Sequence, residues 1–88
     1  MAWEVVLTYK AKENLEKLDR KIKERVLGKI IWLKNNFEDI TPLPLTNEWQ
    51  GFFKLRVGDW RVIYDADEIK AKITIHKIDR RDRVYKKR

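Results

Sequence analysis

The stretch that most limits the fold is Phe53-Lys54-Leu55-Arg56-Val57, followed after Gly58-Asp59 by Trp60-Arg61-Val62-Ile63-Tyr64. Successive side chains of a strand point to opposite faces of its sheet. The first segment therefore carries an apolar face, Phe53, Leu55 and Val57, and a basic one, Lys54 and Arg56. Val57-Gly58-Asp59-Trp60 can form the turn, with Gly58 free to take positive φ. In the simple hairpin register Arg61 comes to lie beside Lys54 and Arg56. A chain with such a hairpin must bury one sheet face and leave the other, with its fixed charge, in solvent.

The rest of the chain supplies the cover. Residues 3–8, Trp-Glu-Val-Val-Leu-Thr, read as a first strand. From Tyr9 the period changes. Ala11, Leu15 and Leu18 recur at helical spacing, and Asp19 is placed to end that helix and cap the next. Ile22, Val26, Ile30, Leu33 and Phe37 then mark one face of a longer helix. The short link makes the two an antiparallel hairpin. Trp32 falls off that stripe and is expected either at the surface, open to an apolar residue of a partner, or beneath the following loop. Residues 38–50 contain both prolines and read as loop. After the hairpin, a second turn near Asp65–Lys70 leads to a last strand in which Ala71, Ile73 and Ile75 share a face. The expected fold is a single α+β domain over residues 1–88, in the order β-α-α-β-β-β. A helical hairpin covers one face of a mostly antiparallel sheet.

Composition narrows the function. No cysteine is present, so disulfides and thiolate metal sites are excluded, and one histidine, His76, excludes multi-histidine metal motifs. The N-terminal residues lack the long apolar region of a signal peptide, and no apolar run reaches transmembrane length, so a cytoplasmic protein is expected. The net charge of +7 is uneven. Residues 1–50 hold nine basic and eight acidic residues, whereas residues 51–88 hold twelve and six. Lysine and arginine neutralise phosphates and release counterions, which makes nucleic acid the first partner to consider.

No Gly-rich phosphate loop, nucleophile elbow or Ser-His-Asp set is present. Asp65 with Asp67 and Asp79 with Asp82 sit in turn-like or basic segments and read as solvated charges rather than metal ligands. His76 lies in an alternating strand and reads as structural. What remains is a cluster of Lys54, Arg56, Arg61, Arg80, Arg81, Arg83 and Tyr85. Guanidinium forks grip phosphate oxygens and stabilise charge in a phosphoryl transition state. RNA carries its own nucleophile, the 2′-hydroxyl, so such a cluster could cleave it without metal or cofactor. The same residues also describe a plain binding face.

The segments "GFFKLRVGDWRVIYDAD" and "ITIHKIDRRDRVYK" resemble the RelE/ParE superfamily of toxins from prokaryotic toxin–antitoxin pairs. The family's hairpin motif looks like K-L-R-V-G-D-Y-R-V-I-Y, with Trp60 here in place of the common tyrosine. Its closing motif runs through arginines to V-Y, which Arg81, Val84 and Tyr85 fit. RelE-like members are mRNA interferases, endoribonucleases that inhibit translation. They cut mRNA in the ribosomal A site through the 2′-hydroxyl, without metal, and leave a cyclic phosphate.

The resemblance implies roles for individual residues. Arg61 would stabilise the scissile phosphate, and Arg81 the leaving 5′ oxygen. Tyr85 and Lys54 are the candidates for orienting and deprotonating the 2′-hydroxyl, while Arg56, with Arg80 and Arg83, would hold the RNA. Two positions depart from the pattern. Arg80 stands where many relatives have histidine, and Phe52 stands where some have a second lysine. Phe52 could stack on a base or simply pack. The implied partners are mRNA on the ribosome and a cognate antitoxin. Two other functions stay open, a ParE-like DNA gyrase inhibitor and a non-catalytic nucleic-acid-binding module.

Overall fold

The computed structural model describes residues 3–46 and 49–80. The elements are β1 (Glu4–Leu7), α1 (Tyr9–Glu16), α2 (Arg20–Asn36), a 3₁₀ turn (Phe37–Asp39), β2 (Leu43–Pro44), β3 (Phe53–Val57), β4 (Trp60–Asp67) and β5 (Lys72–Arg80). Local chemistry sets the helix starts. Thr8 Oγ1 accepts from the Ala11 amide at 3.1 Å and begins α1. Asp19 Oδ1 accepts from the Ile22 amide at 3.0 Å and begins α2, as expected of a cap.

The sheet order is β1-β5-β4-β3-β2. Strands β2 to β5 are antiparallel neighbours. β1 pairs parallel with β5, the one parallel pair in the expected mostly antiparallel sheet among the described residues. It adds to the free edge that the β3–β4–β5 meander leaves, tied by the Glu4 amide to the Ala71 carbonyl (2.9 Å) and the Thr8 amide to the Ile75 carbonyl (3.0 Å). The proline segment also differs from the expected loop. Leu43 and Pro44 form a two-residue edge strand, where proline's missing N–H leaves no ladder bond unmade.

The hairpin closes in the simple register, with Leu55 opposite Val62 and Arg56 opposite Arg61. Gly58 has φ +60° at the first central turn position. A Cβ there would lie 3.1 Å from an Arg25 guanidinium nitrogen, so glycine suits the site twice. The second turn is held by Asp67 Oδ1, which accepts from the Ile69 and Lys70 amides, both at 3.1 Å.

Helix α1 lies over β5 and β1, and α2 over β3. Val26, Ile30, Leu33 and Phe37 meet Leu55, Val57, Val62, Tyr64, Ile73, Ile75 and Ile78 in one core. Each such aliphatic side chain contributes roughly 1.5–3 kcal/mol by leaving water. Burial pushes the Tyr64 hydroxyl up to a pKa of about 12, so this tyrosine stays protonated and is excluded as a base. No helix among the described residues is long and apolar enough to cross a membrane.

Candidate nucleic-acid interface

The sheet face opposite the helices presents its side chains in rows that follow the strand register. One row runs Arg56–Arg61–Asp79, and the next runs Lys54–Ile63–Lys77. Lys54 is half-buried and Arg56 exposed. Neither has an ion-pair partner among the described residues. The expected basic pair on the open face is therefore present.

Arg61 stands beside them in a different state. It is only 8% exposed. Its Nε donates to Asp79 Oδ1 and its Nη2 to Asp79 Oδ2, both at 3.3 Å. Lys77 Nζ lies 3.8 Å from the same carboxylate. The guanidinium fork thus grips two oxygens of a carboxylate, the geometry that also suits a phosphate.

Arg80 is not brought to this face. It pairs in register with Trp60, on the side of the helices. Its guanidinium carbon lies 5.8 Å from the Trp60 ring centroid, and its Nη2 is 4.0 Å from Asp59. Strand parity is the reason, since Asp79 and Arg80 must point to opposite sides. Arg81, Arg83 and Tyr85 lie outside the described residues.

Five residues on or beside the open face, Trp49, Phe52, Asp65, His76 and Lys77, were missed or read differently from sequence. The β4–β5 ladder shifts register between Ile63, opposite Lys77, and Tyr64, opposite Ile75. His76 is the extra residue of that bulge. His76 Nε2 lies 3.2 Å from Asp65 Oδ2. The Phe52 ring meets the His76 ring edge-on at 5.0 Å and the Trp49 ring at 5.2 Å. Lys77 Nζ lies 5.9 Å from the Trp49 centroid. Phe52 is thus packed in an aromatic cluster that adjoins the basic rows. The bulge had a sequence signal. Ile75 and Ile78 are both core residues but three apart, a spacing that unbroken alternation forbids.

Of the four aspartates read as solvated charges, Asp82 lies outside the described residues and the other three are engaged. Asp65 holds His76, Asp67 closes a turn, and Asp79 holds Arg61. On the outer side of α2, Trp32 is 40% and Ile31 55% exposed, with Leu27 nearby in sequence. Lys29 Nζ sits 4.2 Å over the Trp32 ring. Trp32 is therefore a surface residue.

The comparisons with known proteins agree with this architecture. Residues 5–85 match the family described as ParE toxin of type II toxin–antitoxin systems. The fold is similar to that of the toxin–antitoxin complex RelBE2 from Mycobacterium tuberculosis, with a TM-score of 0.80 and 27% identity, over 92% of this chain and 100% of that one. For the archaeal RelE–RelB complex from Pyrococcus horikoshii the TM-score is 0.71 and the identity 25%, over 94% and 99% of the two chains. The isolated RelE toxin of E. coli has the same fold at a TM-score of 0.74 and 12% identity, over 90% and 84%. No curated protein sequence matches the chain. The family match spans nearly all of the chain, and on that ground the chain belongs to the RelE/ParE superfamily of type II toxins.

Proposed function

We propose that this toxin is a metal-independent endoribonuclease that cuts mRNA in the ribosomal A site. The observation that supports the reading most is the pair Lys54 and Arg56. Two cations project from one strand onto the open sheet face with no acidic partner among the described residues, directly beside the Arg61 fork. Such a row follows a phosphate backbone. Arg61 exchanges its carboxylate for the scissile phosphate and stabilises the charge that develops there. Arg81 stabilises the leaving oxygen by charge rather than as an acid, since guanidinium does not titrate in the physiological range. Lys54 and Tyr85 orient the 2′-hydroxyl.

Primer extension on a reporter mRNA in a cell-free translation system tests the reading, using wild type, Lys54→Ala and Arg81→Ala. Discrete cuts within translated codons are expected, lost in both variants and absent without ribosomes. Uncut mRNA with wild-type protein overturns it.

The family match itself favours a second reading, since it is to ParE toxins. A gyrase inhibitor needs no cleavage set. It would block supercoiling in vitro, and Arg81→Ala would block it equally well.

A cognate antitoxin is the proposed protein partner, by analogy with the RelB complexes. An acidic antitoxin segment would cover the Lys54–Arg56 face, and an apolar residue would meet Trp32. Association should weaken steeply as salt rises, measured by calorimetry. Affinity that is unchanged by salt removes the electrostatic part of this docking.

A further inference from the structure

The ribonuclease reading lacks a base suited to neutral pH. Lysine and tyrosine titrate near 10 in the absence of perturbation. The histidine common before the closing arginine in relatives is replaced here by Arg80. From the geometry of the β5 bulge we infer that His76 is the general base, positioned by Asp65; this inference rests on the ribonuclease reading.

The bulge turns both His76 and Lys77 toward the open face, because an extra residue breaks the alternation. The backbone there is fixed from behind. The Thr8 hydroxyl donates to the His76 carbonyl at 3.4 Å, while the same oxygen caps α1. Asn14 Oδ1 accepts from the Ile78 amide at 3.0 Å. The imidazole is fixed from two further sides, by the Phe52 ring and by Asp65. A carboxylate only accepts, so the Asp65 contact places the proton on Nε2 and leaves the lone pair on Nδ1. Nδ1 has no hydrogen-bond partner among the described residues, and the side chain is about one-third exposed. This is the arrangement of an oriented base: a carboxylate holds one nitrogen, and the other is open to substrate.

His76 lies on the same face as Lys54, two strands away. Strands that far apart in a sheet are separated by about 10 Å. A ribose seated over Ile63 lies between them. His76 Nδ1 takes the proton of the 2′-hydroxyl as O2′ attacks phosphorus. The P–O5′ bond breaks, and O5′ leaves with a proton from solvent. The products are a 2′,3′-cyclic phosphate and a 5′-hydroxyl, and the imidazolium returns its proton to solvent. Among the described residues, the charged groups that register places on this face near His76 are Asp65 on β4, Lys77 and Asp79 on β5, and Lys54 on β3. Loop residues Phe52 and Trp49 add none.

The test is single-turnover cleavage of mRNA on programmed ribosomes between pH 5.5 and 8.5, with wild type, His76→Gln, His76→Ala and Asp65→Asn. His76→Gln keeps the donor to Asp65 but cannot take a proton at neutral pH. Its maximal rate should fall on the order of 100-fold or more, with the half-saturating toxin concentration little changed. The wild-type rate should fall as pH is lowered, and that acid limb should vanish in His76→Gln. Imidazole in the buffer should restore part of the His76→Ala rate. Asp65→Asn should lose about tenfold in rate, by misorienting the ring. If wild type cuts and His76→Gln cuts within about threefold of it with the same acid limb, the base lies elsewhere and the ribonuclease reading stands. A change in the half-saturating concentration alone makes His76 a binding residue and overturns the inference. If wild type does not cut, both readings fall together.

Discussion

The two faces of the sheet are made by the same strands, yet they are held by different physics. On the helix side, Leu55, Val57, Val62, Tyr64, Ile73 and Ile75 are removed from water, and their order follows from close packing. On the open side, Arg56 is exposed and Lys54 half-buried, while Arg61 and His76 are held by single carboxylates. The first face is stable because many small contacts add up. The second depends on a few directional ones, each of which fails alone. Substitutions on the two sides should therefore separate stability from activity, with Arg61 as the instructive exception.

The largest effect is expected on the packed face. Ile73→Ala empties a fully buried site and should cost about 2–5 kcal/mol, read from the urea midpoint. A smaller loss would mean that the helices collapse onto the gap.

Arg61→Ala comes next and breaks the simple division between faces. It leaves the Asp79 carboxylate, itself largely buried, without its fork, and should cost about 3 kcal/mol in the same measurement. If stability is unchanged, Arg61 is a solvated binding residue rather than an anchor.

Tyr64 sharpens the contrast through pH. Its folded pKa of about 12 lies above the ordinary value near 10, so the neutral form is favoured in the native state. Its contribution is full below pH 10 and is lost as pH rises toward 12. Two units correspond to about 2–3 kcal/mol. Tyr64→Phe should lose this alkaline slope in melts taken between pH 9 and 12.

Asp19→Ala removes the cap of α2, far from either face, and should cost about 1 kcal/mol. The smallest stability effects belong to Lys54→Ala and Arg56→Ala, within about 0.5 kcal/mol of wild type. The same two variants should strongly reduce mRNA cleavage. Stability and activity falling together in them would erase the distinction between the faces.

How far the sequence could be read follows from the range of the interactions involved. Alternation along Phe53–Val57, the helical stripe from Ile22 to Phe37 and the Asp19 cap all come from contacts within a few residues, and all are seen in the fold. The Arg56–Arg61 pairing was legible because a two-residue turn leaves the hairpin one favoured register. The parallel joining of β1 to β5 was not legible, because it depends on which sheet edge is left free once the meander has formed. Arg80 was assigned with its basic neighbours, and only the registry with Trp60 turned it to the other side.

Sequence alone therefore determined the α+β class, the two-faced hairpin and the presence of cations on its outer side, because periodicity of 2 and 3.6 residues is a local property of the chain. Tertiary structure decided which of those cations have no ion-pair partner among the described residues and which is tied to a carboxylate. It also decided that a bulge in β5 brings His76 to Asp65, residues eleven positions apart. Directional contacts of that kind depend on strand register, and register is set only when the whole sheet has closed over its core.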